Sequence, residues 1–143
     1  MRKIAIAFVL LFLGIFVSHP ANASAGVVAK IDLSNQTMQV YVNGMRKYSW
    51  PVSTARSGYR TPTGSYKPTR MHKTYYSRKY NNSPMPYSIF FYGGYAIHGT
   101  NYVKSLGRPA SHGCVRLHPS NAAALFSLVK RHGPGNTSIV IKR

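Results

Sequence analysis

Past its apolar start, only one stretch of this 143-residue chain, Asn121 to Arg131, has the length and pattern of a helix. The rest is cut by Gly, Pro and Asn punctuation into short pieces, and short apolar pieces bury themselves as strands. Leu125, Phe126 and Val129 give the helical stretch an apolar face, and Lys130 with Arg131 suits its C-terminal dipole end. Pro119 or Ser120 can open it, and Gly133-Pro134-Gly135 stops it. Ahead of it, Gly26 to Asp32 and Thr37 to Val42 read as strands about a turn at Leu33-Ser34-Asn35-Gln36. Met38, Val40 and Val42 alternate with Gln39, Tyr41 and Asn43, the period-2 pattern of a strand with one buried face. Asn43-Gly44 is a tight-turn signal, after which Arg46 to Ser53 resumes an extended pattern. Tyr66 begins another short strand, and Ser88 to Ile97 reads as a strand interrupted by Gly93-Gly94 that delivers His98 at its end. Ser111 to Leu117 is a short apolar-flanked segment, and Thr137 to Lys142 closes the chain as a strand. The expected fold is mainly β, a β-sandwich of mixed strands with one late α-helix.

The first residues read as an export signal. Arg2 and Lys3 precede an apolar run from Ile4 to Val17, and Ala21-Asn22-Ala23 offers small residues at a cleavage site. The alternative, a retained anchor, needs roughly 20 apolar residues and the run has only about 14. The division expected is a cleavable signal peptide over residues 1–23 and a single domain over 24–143, exported to the periplasm, the cell wall or beyond.

Nineteen Lys and Arg stand against one acid, Asp32, for a formal charge of +18. Removing Arg2 and Lys3 with the signal takes it to +16. A field of that sign draws anionic polymers and surfaces. Nucleic acid is not the expected partner, because no recognised nucleic-acid module pattern is visible and export removes the target. Carboxylate-bearing wall peptides or anionic envelope polymers fit the compartment, and a merely solvated basic surface is the plainer alternative. Lack of acids also excludes chemistry: a two-carboxylate glycosidase cannot be built from Asp32 alone. A catalytic histidine here is expected to be oriented by a backbone carbonyl.

The chain has one cysteine, so no internal disulfide can form, and a single thiol in an exported protein is either buried and inert or kept free for use. Its surroundings favour use. In Ser111-His112-Gly113-Cys114-Val115-Arg116-Leu117, His112 and Arg116 lie two residues either side of Cys114, on one face of an extended backbone. Each can favour the thiolate, and Arg116 can hold a substrate carboxylate. His98, at a strand end 16 positions upstream, is a second candidate base. Gly113 permits a turn in which its N–H and that of Cys114 point at a developing oxyanion. The rival is a zinc site from His98, His112, Cys114 and His118, which lacks a C-x-x-C spacing and a nearby carboxylate base. His72 and His132 stand outside any constellation and read as surface residues. Tyr75, Tyr76, Tyr80 and Tyr87 crowd a segment with few aliphatics, either a groove wall or a loop packed on its own rings.

His98-Gly99-Thr100 followed by Ser111-His112-Gly113-Cys114-Val115-Arg116-Leu117 resembles the signature of the L,D-transpeptidase family, also called the YkuD domain. Val52-Ser53-Thr54 and Thr61-Pro62-Thr63-Gly64 resemble the family's stretch before the active site, and the closing helix and strand resemble its tail, so the likeness spans roughly residues 26–142. It implies a domain that attacks the L-to-D peptide bond of a peptidoglycan stem, with Cys114 matching the nucleophile, His98 the base and the Gly99 carbonyl its orienter. His112 and Arg116 match supporting active-site positions, Ser111 and Gly113 shape the loop, and Tyr87, Tyr95, Thr100 and Arg116 are the expected substrate contacts. No metal or other cofactor is implied. The acyl group would pass to an amine of another stem as a 3→3 crosslink. The alternatives are water as acceptor, in a carboxypeptidase or a hydrolase of crosslinks or wall-linked proteins, and a non-catalytic basic envelope-binding module. A monomer is expected. Where family members often carry acids just after the motif, this chain has Ser120, Asn121 and Ala122.

Overall fold

The computed structural model describes residues 26–143. The expected signal peptide and its cleavage point lie outside the described residues.

The chain opens as a meander: β1 (Val27–Asp32), β2 (Thr37–Val42) and β3 (Met45–Pro51). Gln36 and Asn43, both at left-handed φ near 50°, close the two turns. Short strands β4 (Gly64–Tyr66) and β5 (Arg70–His72) follow, then a ribbon of β6 (Tyr76–Ser77) and β7 (Ser83–Pro84) around one 3₁₀ turn. Next come β8 (Ser88–Tyr92), β9 (Tyr95–Gly99), β10 (Val115–Leu117), helix α1 (Pro119–His132) and β11 (Thr137–Lys142). They assemble into one sheet ordered β3-β2-β1-β11-β4 and a second ordered β10-β9-β8-β5. Both are mixed: β1 runs parallel to β11, and β9 parallel to β10, while the other pairs are antiparallel.

One core joins the layers. Val27, Ala29, Ile31, Met38, Val40, Ile139 and Ile141 from the first sheet meet Ile89, Phe91, Ile97, Val115 and Leu117 from the second. Alternation supplies this face along β1, β2 and β11, whereas β8 and β9 are buried on both faces. The helix adds Ala122, Leu125, Leu128 and Val129. Phe126 is only half-buried, because its position turns it toward Tyr87 rather than inward. His118 caps the helix by accepting from the Ser120 N–H at 3.2 Å, and Pro119 takes the first turn, where no N–H is needed.

Two features of the second sheet place the site. The expected strand Ser88 to Ile97 is in fact a hairpin, because Gly93 at φ 51° lets the chain reverse between Tyr92 and Tyr95. A bulge between Phe90 and Tyr92 then shifts the register, so Phe91 turns into the main core while Phe90 faces the other side. Phe90, Ala96 and Met85 form a small second cluster there, and Tyr75 and Cys114 pack against it. His72, expected at the surface, is half-buried in this aromatic patch with ring centroids 5.4 Å from Tyr75 and 6.1 Å from Phe90.

Candidate active site

Cys114 and His98 come from neighbouring parallel strands. The register pairs Val115 with Ile97 and Arg116 with His98. Ile97 and Val115 face the core, so Ala96, His98, Cys114 and Arg116 share the opposite face. That face is the floor of a cavity whose wall includes His98, Thr100, Ser111, His112, Cys114 and Arg116. Opposite stand Ser77, Tyr80 and Met85 from the β6–β7 ribbon and its flanks, and Asn101 and Tyr102 from the loop after β9.

His98 is 6% exposed, and its Nδ1 lies 2.6 Å from the Gly99 carbonyl. A carbonyl can only accept, so Nδ1 carries the proton and Nε2 is left as the basic nitrogen. Burial pushes the imidazole down to about 4, the Gly99 bond opposes this, and the Arg116 charge adds to it. His98 is therefore neutral at ordinary pH, with Nε2 able to take a proton. Burial raises the Cys114 thiol above its usual range, while the Ala96 N–H and the Arg116 guanidinium pull it back. The resting pair is thus a neutral thiol beside a neutral imidazole, and a charged pair would form only as the thiol gives up its proton.

The loop carrying Cys114 is stitched in place. Thr54 O accepts from both Ala110 and Ser111 N–H at 2.9 Å, Arg56 N–H donates to Ser111 O at 3.0 Å, and Ser53 and Arg116 exchange backbone bonds at 2.8 and 3.0 Å. Behind Thr54, the buried Gln36 side chain accepts from the Thr54 N–H at 2.9 Å and donates to Leu33 O at 2.8 Å. Ser111 Oγ donates to the Cys114 carbonyl at 2.6 Å and accepts the Gly113 N–H at 3.0 Å. That last bond engages the Gly113 amide inside the loop, so of the two amides expected to face an oxyanion only that of Cys114 is left for the purpose. Gly113 matters for shape instead. It holds φ 138°, and a Cβ there would stand 2.6 Å from Tyr95 Cε1 and 2.9 Å from the Arg60 carbonyl oxygen.

His112 lines the cavity mouth between two rings. Tyr80 stacks on it at 4.2 Å and 7°, and Tyr59 meets it edge-on at 4.8 Å. Partial burial first, then Arg56, Arg116 and Lys79, lower its affinity for a proton. Arg116 reaches the Ala110 carbonyl at 3.4 Å and lies 5.8 Å over the Tyr102 ring. Thr100 is buried on the cavity wall and accepts from the Tyr102 N–H at 3.1 Å.

Tyr87 and Tyr95 are placed elsewhere. Tyr87 packs on Phe126 at 5.7 Å, and Tyr95 lies against Gly113 and stacks with Tyr92 at 6.3 Å; neither lines the cavity. Tyr95 has the strand parity of the core residue Ile97, which turns it from the His98 face, whereas Tyr87 precedes β8 at a left-handed φ of 55° that carries its ring against the helix. Of the crowded tyrosines only Tyr80 lines the cavity; Tyr75 packs on Phe90 at 5.0 Å and Tyr76 is exposed. Tyr102 and Met85, which the sequence did not single out, do line it. His118 is occupied at the helix start with its Nδ1 2.8 Å from Ser120 Oγ, and among the described residues no three His, Cys, Asp or Glu side chains converge as metal ligands.

The YkuD family model, described as the L,D-transpeptidase catalytic domain, matches residues 26–141. The YkuD protein of Bacillus subtilis (strain 168), named for L,D-transpeptidase, is 26% identical over 117 residues, covering 79% of this chain and 64% of its own length. A solved L,D-transpeptidase from Stackebrandtia nassauensis is 30% identical with a TM-score of 0.73, over 85% of this chain and 58% of that one. L,D-transpeptidase 3 from Mycobacterium tuberculosis, solved with a faropenem-derived adduct, shares the fold at 18% identity and a TM-score of 0.70, over 82% of this chain and 60% of that one. The chain therefore spans about three fifths of the length of the relatives it matches. From family match, mixed sheets and late helix together, the chain belongs to the YkuD family of L,D-transpeptidase catalytic domains.

Proposed function

We propose that this chain is a cysteine acyltransferase acting on peptidoglycan stem peptides. Cys114 Sγ attacks the carbonyl of the L-to-D bond before the terminal D-amino acid while His98 Nε2 takes the thiol proton. The S–C bond forms, the C–N bond breaks, and the departing amine of the D-amino acid takes the proton back from His98. An amine of a second stem then attacks the thioester: a new C–N bond forms, the S–C bond breaks, and Cys114 regains its proton through His98. Arg116 stabilises the thiolate and the Cys114 amide faces the oxyanion. His112, held between Tyr59 and Tyr80, shapes the mouth through which the acceptor enters.

The observation that carries this reading is the shared face of Cys114 and His98, with the Gly99 carbonyl fixing the His98 tautomer at 2.6 Å. It needs no carboxylate, in a chain whose one acid, Asp32, is bound to Asn35 in the turn after β1. On this reading the work is done outside the membrane, where the wall substrate lies, and the basic surface holds the enzyme near anionic envelope polymers.

Tetrapeptide-stem muropeptides incubated with the protein test it by mass spectrometry. A dimer lacking one terminal D-residue is expected, and Cys114→Ala should lose turnover by at least about a thousandfold with its fold intact. Shortened monomers without dimers would make water the acceptor and the chain a carboxypeptidase. Full turnover by Cys114→Ala would overturn the covalent mechanism.

A further inference from the structure

Thr61 opens Thr61-Pro62-Thr63-Gly64, is 4% exposed, and stands outside the chemistry described so far. Its hydroxyl has two partners. The Gly113 carbonyl lies at 2.8 Å, and the Ala55 N–H approaches at 3.0 Å. A carbonyl only accepts and a backbone N–H only donates, so the one hydroxyl proton is committed to Gly113. The Gly113 carbonyl and the Cys114 N–H are the two ends of a single planar peptide. Fixing the oxygen fixes the direction of the N–H, and a hydrogen bond accepted at the oxygen polarises the amide and strengthens its donor end. Ser111 Oγ holds the groups on either side, the Gly113 N–H and the Cys114 carbonyl. Thr61 supplies the bond to the peptide between them, at a glycine whose φ of 138° no neighbouring side chain enforces by its own preference.

We infer that Thr61 is a positioning residue for acyl transfer, its hydroxyl aiming and strengthening the Cys114 amide as donor to the oxyanion formed when Cys114 attacks a carbonyl. The inference rests on the Cys114 reading above. It separates two reactions of the same sulfur. Acylation by imipenem passes through an oxyanion and needs the donor. Alkylation by iodoacetamide displaces iodide at carbon, forms no oxyanion and does not need it.

The test is the rate of each reaction at Cys114, followed by intact mass and peptide mapping in the full chain. Thr61→Val keeps the shape and removes the hydroxyl. It is expected to slow imipenem acylation by about 10- to 100-fold, below the loss from deleting an oxyanion donor outright, and to leave alkylation within about twofold. Thr61→Ser keeps the hydroxyl and should restore acylation to within about threefold. Equal slowing of both reactions, or of neither, overturns the inference and leaves the Cys114 reading standing. If Thr61→Val does not fold, Thr61→Ser decides: acylation near the parent rate supports the hydroxyl's role, and a tenfold loss overturns it. An imipenem adduct on any other residue of the parent overturns the Cys114 reading and this inference together.

Discussion

His98 has a partner that the sequence foretold and a burial that it did not. The sequence pointed to it as a base at a strand end, and the shortage of acids pointed to a backbone carbonyl as its orienter; the Gly99 carbonyl sits 2.6 Å from Nδ1. The consequence of burial was not readable, because it depends on Met85 and the β6–β7 ribbon closing over the second sheet. Burial lowers the folded-state value from 6.5 to about 4. Between those values the unfolded chain binds a proton that the folded chain does not, so neutral His98 contributes stability above pH 6.5 that is lost progressively as pH falls toward 4. The whole swing amounts to about 3 kcal/mol. Denaturant unfolding across this range should show stability falling with acid, and His98→Gln should flatten that fall; an unchanged slope in the variant would show that His98 does not carry it. Tyr87 and Tyr95 mark the opposite case, where rings near a motif suggested substrate contact. The parity of Tyr95 with Ile97 was in the sequence all along and assigns it to the other face, whereas Tyr87 is turned by a left-handed φ of 55° just before β8, which alternation does not encode.

At the scale of elements, the regular strands were the legible part. Thr37–Val42 and Thr137–Lys142 carry unmixed alternation and match their expected bounds, and the helix opens at Pro119, one of its two expected starts, and runs one residue further, to His132. The hairpin at Gly93-Gly94 was harder to read, since a bulge at Phe91 leaves Ser88 to Phe91 all buried and disguises two strands as one apolar run. The loop of Cys114 was illegible as structure, because its supports come from far along the chain: Thr61 to Gly113 spans 52 positions and Gln36 to Thr54 spans 18. Those supports make a prediction. Gln36→Ala strips the buried Thr54 N–H of its acceptor, and an unpaired buried donor costs about 1–3 kcal/mol. Thermal unfolding should show a loss of that size together with slower acylation of Cys114; a fully stable variant would show that the Gln36 bridge is dispensable.

Nineteen basic residues against one acid place a positive field around a cavity whose mouth is flanked by Arg56, Lys79 and Arg116. Affinity for inorganic polyphosphate, used as a polyanion probe, should fall at least about tenfold between roughly 50 and 300 mM salt; salt-independent affinity would indicate a specific site instead. The family was legible from the motif because His98, Gly113 and Cys114 sit close in sequence, whereas the β6–β7 ribbon that lines the same cavity is encoded by no short motif. The most direct measurement is a rapid quench of the protein with a tetrapeptide-stem muropeptide, followed by peptide mapping of the trapped species. A tripeptide-stem thioester on Cys114 is expected, formed with release of one D-amino acid and consumed when acceptor is added. Product formation with no adduct on Cys114 at any time would contradict it.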